Sequence, residues 1–246
     1  MNLIADTHMH TIASTHAYST LQEMVHAAAL KKLYAVAITD HGITVPGAPG
    51  KWYFHNLKVV PHRFEGVLVL RGQETNVLDY NGTVDLEPDC VNDLDWVVAS
   101  IHSICMPKEK PTVEAVTNTW LQVAKNPKVN VIGHSGSEEY RYDYEAVIPE
   151  FGRQGKLVEL NESTFFNRNK SVPQCSKIMQ LCKKHSVPII VNTDSHFSNM
   201  VGCFENSLKL LEEIDFPEEL VVNSGVVRFQ SYLKQYTRVF DDPILN

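Results

Sequence analysis

The stretch LIADTHMH, residues 3–10, joins a short apolar run to a His-x-His pair, and related arrangements recur along the chain. YAVAITDH (34–41), VLVLRGQE (67–74), DWVVASIH (95–102), VNVIGH (129–134) and VPIIVNTDSH (187–196) each read as a buried strand that ends in a metal-ligand residue type. With His16 from the loop after the first strand, the set is His8, His10, His16, His41, Glu74, His102, His134, Asp194 and His196. Ligands placed at the same end of many strands meet at the mouth of a barrel. Seven imidazoles and two carboxylates exceed the needs of one catalytic zinc, which usually takes three protein ligands and keeps a position open. The pattern implies a cluster of ions, and with it hydrolytic chemistry.

Working outward, seven apolar segments read as strands, near 3–7, 34–39, 67–73, 95–101, 129–133, 157–161 and 187–193. Helical periodicity fills most of the gaps, over 20–32, 111–126, 144–154 and 173–184, with two more helices near 203–213 and 225–236. Near-continuous apolar strands alternating with helices imply a parallel sheet covered on both faces. The expected fold is α/β, a TIM-like (β/α)7 barrel with its metal site at the C-terminal strand ends. Residues 43–66 read as a Pro/Gly-bearing loop that shapes a pocket, and Tyr80-Asn81-Gly82-Thr83 as a hairpin signal.

The 246 residues, 43% of them hydrophobic, suffice for one core, so residues 1–246 are expected to form a single domain. A net charge of −7 with no basic stretch argues against a nucleic-acid platform or an anionic membrane surface as partner. No apolar run approaches the roughly 20 residues of a membrane span. A signal peptide is not expected, because cleaving about 15–30 residues would remove part of the site. Five cysteines, odd in number and never CxxC, suit a reducing cytoplasmic setting. Cys175 and Cys182 share a predicted helix face, which favours plain burial. The sequence carries no signal of oligomeric state.

Taken singly, each ligand candidate also suits a hydrogen-bonded polar residue; their recurrence at strand ends is what decides. His26, inside a predicted helix, and His185, at a helix C-terminus, are expected to be structural. His55 and His62 lie in the long loop, facing either substrate or solvent. Asp6 and Asp40 are expected to orient neighbouring histidines as hydrogen-bond acceptors, Asp40 more than Asp6, with a turn role as the alternative.

The ordered motifs D-x-H-x-H, ITDHG, a strand-end Glu, single strand-end histidines and a late D-S-H resemble those of the PHP (polymerase and histidinol phosphatase) family. HTIASTHAYSTL and the chain length are similar to the stand-alone bacterial YcdX-type members. The resemblance covers essentially the whole chain and implies a distorted (β/α)7 barrel with three metal ions per chain, usually zinc (Zn2+), otherwise manganese or iron. It assigns His8, His10, Glu74 and Asp194 to the first ion, and His102 and His134, with Glu74 bridging, to the second. His16, His41 and His196 go to the third. One departure is His134-Ser135-Gly136, where the family often has Pro after the histidine.

By that resemblance, Glu74 and Asp194 serve catalysis by holding ions that share a hydroxide nucleophile. Three divalent ions outweigh two carboxylates and a hydroxide, so an anionic guest is favoured, and phosphate suits it best. The expected activity is that of a phosphomonoesterase on a small phosphorylated metabolite. Arg168 and Lys170 are the candidates for gripping that substrate, with a solvated loop as the plain alternative. Asn161 is expected to face the pocket or satisfy backbone. Competing classes are a phosphodiesterase or nuclease, weakened by the acidic balance, and an amidohydrolase-like C–N hydrolase, weakened by Glu74 where a modified lysine would bridge. An accessory, non-catalytic module would tend to have lost ligands, and here all nine positions are filled.

Overall fold

A computed structural model describes residues 1–242, so the end of the expected 1–246 domain, residues 243–246, lies outside the described residues. The strands are β1 (Ala5–Asp6), β2 (Ala35–Ile38), β3 (Arg63–Phe64), β4 (Val67–Asn76), β5 (Trp96–Ser100), β6 (Val131–Ile132), β7 (Leu157–Asn161) and β8 (Ile189–Asn192). The helices are α1 (Leu21–Leu30), α2 (Lys51–Asn56), α3 (Val113–Ala124), α4 (Tyr144–Arg153), α5 (Thr164–Asn167), α6 (Val172–His185), α7 (Glu205–Glu213) and α8 (Val226–Tyr236). Seven strands pair in parallel in the order β1-β2-β4-β5-β6-β7-β8. The short β3 adds antiparallel to β4. All seven expected parallel strands are therefore present.

The strands are apolar almost throughout because both faces are covered; nine of the ten residues of β4 are buried. Inside the barrel, Ala5, Ala35, Ala37, Leu68, Leu70, Val98, Val131 and Ile190 fill the space between strands. Outside it, α3, α4 and α6 pack Val116, Trp120, Val147, Phe151, Ile178 and Cys182 against the sheet. Cys175 and Cys182 are both buried in α6, as expected. Local chemistry fixes the helix starts. Thr20 and Glu23 form a reciprocal capping box on α1, and Thr112 and Asp143 cap α3 and α4. Such caps contribute about 1 kcal/mol each.

The barrel nearly closes between β1 and β8, where side chains replace much of the missing ladder. Asn223 accepts from the Val191 N–H and donates to the Ala5 and Val191 carbonyls. Asn192 Oδ1 accepts from the Thr7 N–H, and a parallel bridge joins Met9 to Ser195. This seam brings the His-x-His pair beside Asp194.

The 43–66 segment is more structured than a loop. It holds α2, a 3-10 turn at Leu57–Val59 and β3. These pieces are too short to show a periodicity in sequence, and Phe54 and Leu57 anchor them in a small cluster with Cys90. The hairpin signal is realised: Val77 and Val84 bridge antiparallel, and Gly82 takes a positive φ of 77° that glycine adopts without strain.

Candidate metal centre

All nine candidate ligands gather at the C-terminal end of the barrel. Glu74 lies at the middle, fully buried, within 2.7 Å of His41 Nδ1, 2.9 Å of His134 Nε2, 3.2 Å of His8 Nε2 and 3.5 Å of both His10 Nε2 and His102 Nε2. Asp194 Oδ1 stands 3.2 Å from His10 Nε2 and 3.6 Å from His8 Nε2. His196 packs 4.3 Å from His10 and 4.6 Å from His16, ring centre to ring centre. His16 is exposed at the outer edge, its Nε2 3.2 Å from that of His41. The site thus grades from a dry floor at His8, His10 and Glu74 to a wet rim at His16.

Three tight groups of potential ligand atoms emerge: His8–His10–Asp194, His41–Glu74–His102 and His10–His41–His196. They differ from the grouping the resemblance implies: His41 joins Glu74 and His102 as well as His196, His10 stands where His16 was expected, Glu74 is absent from the first group, and His134 and His16 fall outside all three.

The donor chemistry fits metal ions. His8 Nε2, His10 Nε2, His41 Nδ1 and Glu74 Oε2 are buried with no aligned hydrogen-bond partner, although ion-pair distances among them are short. Leaving such atoms unpaired costs about 1–3 kcal/mol each, which coordination would offset. Only nitrogen and oxygen donors meet here, a set that suits zinc, iron or manganese.

Outer partners set the imidazole tautomers. His8 Nδ1 donates to Glu159 Oε1 at 2.7 Å, His102 Nδ1 to Asn76 Oδ1 at 2.6 Å, and His196 Nδ1 to the Asp194 carbonyl at 2.9 Å. Each bond leaves Nε2 with its lone pair available to an ion. Burial opposes the Glu159 charge, yet His8 beside it holds the carboxyl below the usual range. Burial likewise opposes ionisation of Glu74 and Asp194, and the surrounding histidines, with Arg168 at Asp194, override it. Burial, reinforced by His41, keeps His10 neutral, and burial lowers His102 to about 4.

Two ligand positions carry backbone strain. His134 has φ 23° and Asp194 φ 56°, in the left-handed region that L-residues rarely occupy. Such conformations cost about 1–3 kcal/mol and persist where the surroundings enforce them. At His134 its own N–H donates to Glu159 Oε2, so one carboxylate positions two of the histidines. The departing Ser135-Gly136 is accommodated locally: Ser135 Oγ contacts Tyr142 OH, and a Cβ at position 136 would strike Cys175 Sγ.

Arg168 donates to Asp194 Oδ2 at 2.9 Å and to Asn161 Oδ1 at 3.1 Å, and its buried Nε lacks a partner. Asn161 faces the site, donating to Glu159 and Asp194. Lys170 is exposed and lines a neighbouring cleft that also reaches His102 and His134.

Other expectations change. Asp40 touches no imidazole among its hydrogen bonds; it accepts from Thr11, Ser14 and Tyr53, and Ser14 Oγ in turn accepts from the His41 backbone N–H. Its effect on His41 is indirect because the carboxylate is spent on folding the loop that carries His16. Asp6 holds Thr193 and Gly202 instead of a histidine. His62 is buried at the opposite end of the barrel between Asp95 and Asp242, away from any substrate. His55 lies near Asp93, and His26 and His185 pair with Glu65 and Glu145.

The fold and site together define a TIM-like α/β barrel with a metal-ligand cluster at the catalytic end. No family model matches the sequence. The chain is 42% identical over 234 residues to a probable phosphatase of Caldicellulosiruptor saccharolyticus, covering 95% of this chain and 97% of that one. It belongs to this family of probable phosphatases, the PHP-type proteins its motifs resemble. In fold it is similar to histidinol phosphate phosphatase from Lactococcus lactis, solved with zinc, L-histidinol and phosphate. That match has a TM-score of 0.60 at 16% identity and covers 88% of this chain and 95% of that one. A chain in a structure of archaeal ribonuclease P with mature tRNA matches as well in fold, with TM-score 0.61 at 12% identity over 97% and 94% of the two chains. Fold therefore does not choose the substrate.

Proposed function

We propose that the chain is a metal-dependent phosphomonoesterase acting on a small phosphorylated metabolite, as in the YcdX-type proteins, with residues 1–246 as one catalytic domain. The observation that carries the reading is the set of buried, unpaired ligand atoms around Glu74 in a chain of the phosphatase family. About three ions, zinc or else manganese or iron, would be held by His8, His10, His16, His41, Glu74, His102, His134, Asp194 and His196. Bound there, such ions supply Lewis acidity and lower the pKa of water to near neutrality.

The protein's own part is positioning. Glu74 and Asp194 stay ionised, Glu159 holds His8 and the His134 backbone, and Asn76 holds His102. Arg168, with its unpaired Nε, grips the phosphate beside Asp194, and Lys170 attracts the anion from the adjoining cleft. Water attacks phosphorus, the P–O ester bond breaks, and the alcohol leaves with a proton. The net charge of −7 disfavours long polyanions, so a small ester is preferred to nucleic acid. Among the described residues no helix is long and apolar enough to cross a membrane, and the five free cysteines support a cytoplasmic setting.

The test is hydrolysis by metal-loaded protein. Turnover of p-nitrophenyl phosphate and of metabolite monoesters, inhibited by free phosphate, is expected. Inert phosphate esters with active amides or lactones would move the assignment to a C–N or lactone hydrolase.

A further inference from the structure

Two clefts lead from the metal centre, and Ile104 and Arg168 stand in the walls of both. The first, of about 730 Å³, is walled by Tyr18, Ile104, Phe166, Phe197 and Met200. The second, of about 600 Å³, presents Ser103, Ser137, Glu138, Glu139 and Lys170. Their chemistry differs in balance: large apolar and aromatic side chains dominate the first, whereas the second mixes charged and hydroxyl groups with Ile101, Ile104 and Tyr140.

The apolar wall is not ordinary surface. Of the fourteen large apolar side chains exposed among the described residues, five stand in this one cleft, with exposures from 36% at Met200 to 75% at Tyr18. Contiguous exposed apolar groups beside a reactive centre mark a binding surface, because their contact with water is a cost that a ligand removes. The cleft's charges are already committed. Glu162 accepts from the Asn206 and Ser207 N–H groups at the start of α7. Among the described residues Arg168 is the only lysine or arginine in the wall; it pairs with Asp194, and its free Nε is taken by the phosphate being cleaved. Nothing in the wall would neutralise a second phosphate.

We infer that this cleft is the leaving-group site and that the substrate carries a single phosphate on an uncharged alcohol with an aromatic or bulky apolar body. This rests on the phosphatase reading above and narrows its substrate class. Sugar phosphates and nucleoside diphosphates, with hydroxyls or added charge against Phe166 and Phe197, fit the wall poorly. Placing a ring on these side chains removes enough apolar area to raise affinity about tenfold or more over a methyl group.

The experiment compares benzylphosphonate with methylphosphonate, neither of which can be hydrolysed, by titration calorimetry on the metal-loaded full chain. Benzylphosphonate should bind about tenfold or more tightly. The ratio should fall toward one in Phe166→Ser combined with Met200→Ser, with Tyr18→Ser as a second variant; all three side chains are exposed enough to change without emptying the core. Equal affinities in the unaltered protein, no binding of either ligand, or a ratio unchanged in both variants would overturn the inference. Hydrolysis separates it from the reading beneath it, using benzyl phosphate and glycerol phosphate as substrates. Turnover of both with the same KM sinks the apolar site alone. A phosphonate preference with no ester turned over sinks the phosphatase activity alone.

Discussion

At the N-terminal end of the barrel, Trp96 packs on Phe229 and Tyr232 of α8, and His62 is bonded at both ring nitrogens, to Asp95 and Asp242. At the C-terminal end, His8, His10 and Glu74 are equally buried, yet each keeps an atom with no aligned partner. One end pairs its buried histidine completely and closes the core, with the Trp96 Nε1 its lone unpaired polar atom beside these residues. The other leaves donors open and accepts positive φ at His134 and Asp194. The contrast assigns stability to the first end and chemistry to the second, the usual division in barrels of this kind. Substitutions at the two ends should therefore fail in different ways.

The largest expected effect is on stability. Phe229→Ala removes a fully buried ring from the closed end and should cost about 3–5 kcal/mol by denaturant titration. The protein that remains folded should keep its metal content. If metal content per folded chain falls in step with stability, the two ends are not separable.

The next effects are on the site. Glu74→Gln keeps the side chain's size but removes the charge, and activity should drop on the order of a hundredfold or more, while Glu212→Gln on the exposed face of α7 changes little. Glu159→Gln should fall between them, lowering metal affinity or activity about 10–100-fold, because it orients His8 and the His134 backbone without occupying a ligand position. Equal losses at Glu74 and Glu212 would remove Glu74 from the centre. A Glu159 variant as active as the unaltered protein would show that His8 holds its tautomer without help.

The smallest effect belongs to His62. Burial opposes its charge, but Asp95 and then Asp242 raise its pKa above 6.5. A raised folded-state value means that the charged pairing stabilises fully below the unfolded pKa of about 6.5 and is lost as pH rises through the folded value. His62→Gln should flatten that part of the melting-temperature profile between acidic and mildly alkaline pH. An unchanged profile would mean the His62 pairing contributes no pH dependence.

Much of this contrast was legible in the sequence. Apolar runs ending in His, Glu or Asp located the strands and eight of the nine gathered residues, all but the loop residue His16, because strand ends on one side of a parallel barrel have nowhere else to point. Glu159 and Asn76 were missed, though a charged residue within the apolar run KLVELN is itself a sign of a paired, buried group. Asn223 offers no such sign: it lies far from Ala5 in sequence, and only the fold brings it between β1 and β8. Asp40 was legible as important with two roles open, since a carboxylate next to a ligand can serve either the imidazole or the loop, and the loop holds it. The paired state of His62 depended on Asp95 and Asp242, which no local spacing connects to it.

The open donors at the C-terminal end are tested most directly by counting metal. Elemental analysis of protein purified without added metal, and again after reconstitution, should find about three transition-metal ions per chain. His16→Ala, at the exposed rim, should lower the count by about one. One ion or none in the reconstituted protein would contradict the account.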